Sequence, residues 1–186
     1  IAQEVSLEAQ PKLGIRLGYN LSNIDFFWDL EDGGKDWKSG VNFGVVSDLY
    51  ITDRIVFRPG IYYSMKATKY LDDTKHCYNY LEAPLLAVFQ QPIGERIKLE
   101  LHAGFYLGVG VGGKKEYPAF VEGFDPYNEK TFEGDRSEKR FDSGFNIGCG
   151  LNIDRIYLGA SYEDGFVSHD NGRKNHCLMV NVGYSF

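Results

Sequence analysis

Three residue types found in hydrolase active sites lie close together near the C-terminal end of the sequence. Glu163 is followed by Ser168 and His169, which supply an acid, a nucleophile and a base. A nucleophilic serine needs its base within hydrogen-bond distance, and that base needs a carboxylate that orients it. Because adjacent Ser168 and His169 are poorly placed for such a relay, we expect no catalytic residues and predict that the protein is not an enzyme.

Other motifs that could hold a ligand are also incomplete. The segment GVGVGG satisfies the dinucleotide-binding pattern through Gly108, Gly110 and Gly113, but that site requires a helix next, and the following KKEYPAF does not have a helical pattern. Acidic residues surround a turn between positions 29 and 36, without the register or the distal glutamate of an EF-hand. The three cysteines have no metal-ligand spacing. The sequence therefore predicts no cofactor and no metal site.

The composition excludes several classes of protein. The chain has 186 residues, enough for one domain, and a net charge of −6 with both signs scattered along it. Without a basic stripe, nucleic-acid binding is not expected. No apolar run is long enough for a spanning helix. The 13 Tyr, 13 Phe and 22 Gly favour a β architecture, which can cross a membrane with strands of about 10 residues.

Alternating residue types identify the elements that must position the polar side chains. In the clearest segment, apolar residues occupy every second position from Ile97 to Val111. The intervening face consists of Lys98, Glu100, His102, Gly104, Tyr106, Gly108, Gly110 and Gly112. A period of two is that of a β-strand, and a helix would not tolerate so many glycines.

About eight strands of this kind can be counted between Lys12 and Phe186, the fourth of them over residues 80–89. Short turns between them alternate with long charged loops, including residues 68–77 and 114–140. This asymmetry is typical of outer-membrane barrels, whose turns face the periplasm and whose loops face the exterior. We predict a polar leader over residues 1–11 and one domain over residues 12–186, an all-β, eight-stranded antiparallel up-and-down transmembrane β-barrel.

Steric limits indicate which strand face points into the barrel. An eight-stranded barrel is just wide enough for side chains to fill it, so the bulky apolar face would overfill it and must face lipid. Charges on the inward face must be paired because an isolated buried ion is unfavourable. Arg16, Arg58 and Lys98 are expected to balance three glutamates there. The predicted lumen network consists of Arg16, Arg58, Lys98, Glu82, Glu100, His102 and Glu163.

Several segments, GIRLGYNLSNI, FRPGIYYSMKATKY with YLEAPLLAVF, HAGFYLGVGVGG and VNVGYSF, resemble in order and spacing those of the PorT-like outer-membrane β-barrel proteins of Gram-negative bacteria. The resemblance covers nearly the whole chain from Lys12 onward. It implies a barrel in the cell outer membrane and no catalytic residues. Tyr184 and Phe186 resemble the aromatic C-terminal signal that the barrel-assembly machinery recognises, so that machinery and outer-membrane lipid are the implied partners of a monomeric barrel.

Aromatic residues in the long loops are candidate contacts with an unknown extracellular or periplasmic partner. The third loop, residues 114–140, combines them with seven acidic and six basic residues, a mixture that can form a binding surface. The candidate contacts are Trp37, Phe120, Phe124 and Tyr127. Packing within the loops or in an outer aromatic girdle is the other interpretation, which we favour for Trp28 and Tyr117.

The sequence leaves more than one function open. The favoured one is a non-enzymatic outer-membrane barrel, structural or binding through its loops, with its lumen plugged by polar side chains. The alternatives are a soluble ligand-carrying β-barrel with an apolar lumen, a small pore, and a lipid-modifying enzyme.

Overall fold

The computed structural model describes residues 11–24, 37–69, 75–117, 127–133, 139–167 and 174–186. Residues 1–10, which make up most of the predicted leader, lie outside these ranges. No helix in the described part of the chain has the length and apolar character needed to span a membrane.

Nine strands form one antiparallel sheet in the described residues. They are β1 (Lys12–Ile24), β2 (Lys38–Tyr50), β3 (Ile55–Lys69), β4 (Lys75–Pro92), β5 (Ile97–Tyr117), β6 (Tyr127–Lys130), β7 (Phe141–Ile153), β8 (Ile156–Gly165) and β9 (Asn175–Ser185).

Eight of these strands close into a barrel, and β6 is an addition to its rim. The first strand pairs on one side with β2 and on the other with β9, so that Leu17 lies opposite both Phe43 and Val182. The remaining neighbours pair in chain order through β4–β5 and β5–β7. This confirms the predicted eight-stranded antiparallel barrel.

The two ends of the barrel differ. At one end, which we call the turn end, short connections join β2 to β3, β4 to β5 and β7 to β8. The tightest of them is Asp154–Arg155, where Asp154 has a φ of 53°, a left-handed conformation that aspartate tolerates better than most residues. The other end, the loop end, carries the long connections.

The sheet reaches further at the loop end than the sequence predicts. The fourth strand already begins at Lys75, and β5 continues to Tyr117. Within the segment expected to be a loop, residues 114–140, β6 pairs with the end of β5, so that Lys114 lies opposite Lys130. The expected boundaries are therefore wrong here, because strand pairing continues beyond the alternating region.

A β-bulge on β5 changes which glycine points inward. Tyr80 lies opposite Gly110, while the preceding Asn79 lies opposite Gly112, so Val111 is an extra residue on β5. Beyond the bulge, Gly113 shares the inward face with Tyr78, its partner on β4. The expectation that Gly112 faces the lumen is therefore wrong, and the bulge also turns the Lys115 position inward.

Candidate functional site in the barrel interior

The barrel carries its apolar side chains outside and its charged side chains inside. Phe105 is 58% exposed, whereas Glu100, on the opposite face of the same strand, is completely buried. The inward glycines provide the space that these charged groups occupy. At Gly183, a Cβ atom would lie 2.1 Å from Nη1 of Arg16, so a larger residue there would displace the arginine.

Near the turn end, the Arg58 guanidinium is held by two buried carboxylates. Its Nε donates to Oδ1 of Asp48 at 2.5 Å, and its Nη2 donates to Oδ2 at 2.9 Å. On its other side, Nη1 and Nη2 donate to the carboxylate of Glu100. Glu100 also accepts hydrogen bonds from Gln90 and Asn152. We call these five residues the Arg58 layer. The fork geometry of arginine suits such a two-sided contact.

Closer to the loop end, a lysine bridges two glutamates across the barrel. Nζ of Lys66 lies 2.6 Å from Oε1 of Glu82 and 2.9 Å from Oε2 of Glu163. Asn146 donates to the second oxygen of Glu163 at 3.0 Å. The ammonium also lies 4.7 Å from the ring centroid of Tyr106, within the range of a cation–π contact. These five residues form the Lys66 layer.

Three aromatic side chains pack together inside the barrel, on the loop side of the Lys66 layer. Phe132, which follows β6, packs edge-on against Tyr78 and Tyr80 with ring centroids 6.1 and 5.8 Å away. Arg140 donates to the carbonyl oxygen of Phe132 at 3.0 Å, which fixes the backbone there. We call Tyr78, Tyr80 and Phe132 the aromatic plug. A side chain at Gly110 would collide with the Phe132 ring, since a Cβ would lie 2.3 Å from it.

An exposed ion pair lies beside the plug. Nζ of Lys130 donates to Oε2 of Glu133 at 2.7 Å. This hydrogen bond, together with the positive charge of Lys130, lowers the pKa of the Glu133 carboxyl. Because both side chains are largely exposed, the pair contributes little to stability.

The structure places the predicted lumen residues at different levels of the barrel. Buried in the interior are Arg16, Arg58, Glu82, Glu100, His102 and Glu163. Lys98 instead lies half-buried at an open cavity of about 490 Å³ at the turn end, which we call the vestibule. It forms no ion pair with a described residue, and Lys66 is the cation that joins the glutamates.

Sequence reasoning missed Lys66 and Asp48. Both could be found by extending the inward face of their strands, since Lys66 follows Arg58, Tyr62 and Ser64 at even positions. Alternation reveals the face on which a residue lies. It does not reveal the partner across the lumen, because that partner depends on the stagger between strands.

Several predicted features lie outside the described residues. These are Phe120, Phe124, Ser168, His169, Trp28 and the acidic positions 29–36. Tyr127 begins β6, and the Trp37 side chain is exposed at the loop end. Among the residues that the structure describes, no group of His, Cys, Asp and Glu could hold a metal ion.

The C-terminal aromatic residues lie at the seam of the barrel on its turn end. The backbone N–H of Phe186 donates to the carbonyl oxygen of Leu13 at 2.9 Å. Tyr184 lies opposite Ile15 on one neighbouring strand and Ile156 on the other. The rings of Tyr184 and Phe186 meet edge-on with centroids 5.5 Å apart, and both face outward.

Comparison with known proteins supports the barrel assignment. Residues 2–171 match the family model described as outer membrane protein beta-barrel domain. The fold is similar to that of Ail, the attachment invasion locus protein of Yersinia pestis, with 19% identity over 95% of this chain and 99% of the other, at a TM-score of 0.51. It is also similar to the outer membrane enzyme PagL, with 11% identity over 92% and 98% of the two chains and a TM-score of 0.56.

A third similar structure is OprG of Pseudomonas aeruginosa, with 13% identity over 94% of this chain and 95% of the other, at a TM-score of 0.50. No curated protein matches the sequence. At these identities, the likenesses show the fold alone.

Proposed function

Since the chain belongs to the outer membrane protein beta-barrel domain family, which places it in the outer membrane, we propose that it presents its long loops at the cell surface while its own side chains close the lumen. In this role the barrel is a non-enzymatic scaffold, and binding or shaping of the cell surface resides in the loops.

The observation that carries this proposal is the series of closures across the lumen. The Arg58 layer, the Lys66 layer and the aromatic plug follow one another from the turn end to the loop end. A solute would have to separate buried, hydrogen-bonded ion pairs, and separating one such pair leaves uncompensated charges at a cost of roughly 3–5 kcal/mol. The lumen is therefore occupied by the protein itself, which disfavours the small-pore alternative.

The inside-out distribution of residues argues against the soluble ligand carrier. That alternative requires an apolar lumen, whereas Arg58 and Glu100 are buried in the interior and Leu101 faces outward. An outward apolar surface of this extent needs lipid or detergent to cover it. The purified chain should accordingly lose monodispersity when detergent is removed, and a monodisperse chain in plain buffer would support the soluble alternative.

We also propose that the protein is not an enzyme, although PagL has the same fold and is an enzyme. This proposal rests on the sequence, in which adjacent Ser168 and His169 are poorly placed for nucleophile and base. Mass spectra of lipid A from cells that express the wild type should be identical to spectra from cells that express Ser168→Ala or His169→Ala. A modification that disappears in both variants would contradict the proposal.

The finer family assignment and the partners are proposals as well. The PorT-like resemblance of the strand segments supports that subgroup. A monomer surrounded by outer-membrane lipid, inserted by the barrel-assembly machinery, is consistent with a barrel that leaves no strand edge open along its seam.

Conductance measurements test the closed lumen. In planar bilayers, the wild-type barrel should show no steady opening above the leak level, because its ion pairs and its aromatic plug block the path. A channel-forming peptide added to the same bilayer is the positive control. Steady openings of the wild-type barrel would overturn the plugged lumen.

Loop replacement tests the surface role. In the test variant, residues 118–126 are replaced by a short Gly-Ser turn. This variant retains β5 and β6, so its barrel is the same as that of the wild type and only the loop differs. A component that binds the wild type in lipid nanodiscs should fail to bind this variant, or a second variant with residues 25–36 replaced. A component that binds the wild type and both variants equally would place recognition outside these loops.

A further inference from the structure

A small cavity lies between the Arg58 layer and the Lys66 layer. It measures about 50 Å³, and we call it the central chamber. Side chains that line it include Arg16, Asn42, Asn146, Tyr157, Met179 and Asn181. Members of both layers also line it, including Arg58 and Glu163, but the proposed surface function makes no use of the space.

Arg16 is a buried cation beside this chamber without a carboxylate in contact. Its side chain is only 4% exposed, and its guanidinium lies 3.9 Å from the ring centroid of Tyr157. Neither Nη1 nor Nη2 donates a hydrogen bond to a described residue. Leaving buried donors of a charged group unsatisfied is strongly unfavourable, so these donors require a partner that the chamber can hold.

Two asparagines present acceptors to the same chamber. The amide nitrogen of Asn42 donates to Oδ1 of Asn20, and that of Asn146 donates to Glu163. These bonds fix the orientation of both amides, because only the nitrogen can donate. The remaining oxygen atoms, Oδ1 of Asn42 and Oδ1 of Asn146, are buried without a donor.

The mixture of donors and acceptors identifies the occupant. A bare cation would face the Arg16 guanidinium, and a bare anion would face the fixed amide oxygens of Asn42 and Asn146. Water both donates and accepts, so it satisfies both kinds of group. Because one buried water needs roughly 10–15 Å³ of such space, we infer that the central chamber holds a cluster of a few ordered water molecules that hydrates Arg16.

The arrangement also indicates how this water exchanges. The vestibule at the turn end is lined by Asp48, Gln90 and Asn152 of the Arg58 layer, and Arg58 itself lines the chamber. Among the described residues, the Arg58 layer lines both spaces, whereas the Lys66 layer and the aromatic plug both lie on the loop side of the chamber. Water therefore reaches the chamber from the turn end, past the Arg58 layer alone.

The two methionines of the chain allow a direct test. Met179 lines the chamber and is 6% exposed, whereas Met65 lies on the outward face. Millisecond X-ray pulses generate hydroxyl radicals from bound water, which oxidise an adjacent methionine to its sulfoxide. For the folded barrel in nanodiscs, we expect Met179 oxidation to fall about fivefold or more when Ser161→Leu fills the chamber and displaces its water. Ser161→Ala, which leaves the space open, should retain the wild-type rate.

Heat-modifiable electrophoretic mobility shows whether each variant is folded. If Ser161→Leu does not fold, Asn181→Leu fills the chamber from β9 and serves as the second variant. Slow Met179 oxidation in the wild type, no faster than in the filled variant, would show a dry chamber and overturn the inference. Met179 oxidation reports on the chamber, whereas the loop replacements test binding at the loops. The result is therefore independent of the proposed surface function.

Discussion

Lys66 is buried together with both of its carboxylate partners, Glu82 and Glu163, so bulk water hydrates none of the three charges. Burying ions is expensive, and the mutual attraction within such a group does little more than offset that expense. Removing one member therefore has a larger effect than removing the whole group, because the remaining charges stay inside without compensation.

We expect Lys66→Met to lower the free energy of unfolding by roughly 3–5 kcal/mol, measured by urea unfolding of the barrel in lipid vesicles. Replacing Glu82 and Glu163 by glutamine in the same chain should recover much of this loss, since no buried charge then remains. Lys98→Met is the matched control, because Lys98 forms no ion pair with a described residue, and we expect a change below about 0.5 kcal/mol. Equal losses in Lys66→Met and Lys98→Met would contradict the role of the buried group.

At the scale of the strand, the bulge at Val111 separates two registers on β5. The pairs Tyr80–Gly110 and Asn79–Gly112 lie on either side of it, so Val111 has no partner of its own on β4. Removing this residue leaves both pairs possible in an uninterrupted ladder. Removing a residue from the regular part of the strand would instead send every following side chain to the opposite face.

We therefore expect a chain with Val111 deleted to fold, and a chain with Leu101 deleted to fail. Deleting Leu101 would exchange the inward and outward faces of β5 on one side of the deletion, which would expose charges to lipid. Circular dichroism and heat-modifiable mobility after refolding in detergent measure the outcome. A Val111 deletion that folds no better than the Leu101 deletion would show that the bulge is required for the barrel.

Strand alternation predicted the barrel well, and its limits have physical causes. The run from Ile97 to Val111 indicates its own faces, because bulky residues on one side oppose glycines and charges on the other. The bulge is hidden because Gly110, Gly112 and Gly113 surround it and do not distinguish the faces. The four residues of β6 are too few to show a period of two.

The sequence predicts which residues lie in the barrel interior more easily than it predicts which of them form pairs. The strand faces place both Arg58 and Glu100 in the lumen, and the structure joins them directly. Lys98 lies on the same strand face as Glu100, but its height along the barrel axis places it at the vestibule. Height depends on how neighbouring strands are staggered, which no single strand reveals.

In the whole molecule, the sheet carries its apolar side chains on the outer surface and its charged side chains inside, the reverse of a soluble β-barrel with an apolar core. Exposed apolar side chains cover the outside of the barrel, while paired ions and aromatic rings occupy the centre. The barrel must therefore reach its membrane before the outward surface can associate elsewhere. Insertion into the membrane is the step on which the whole arrangement depends.

Phe186 allows recognition to be separated from stability. Its backbone bond to Leu13 does not require the ring, so Phe186→Ala should refold in detergent as the wild type does. We propose that the assembly machinery binds the aromatic side chains of Tyr184 and Phe186, so in cells we expect the level of this variant in the outer membrane to fall severalfold. Phe166→Ala is the matched control, since Phe166 is also exposed but lies near the loop end, and its level should remain that of the wild type. If Phe186→Ala lost refolding in detergent as much as insertion in cells, the ring would stabilise the seam. If its level in cells were unchanged, the machinery would not recognise the Phe186 ring.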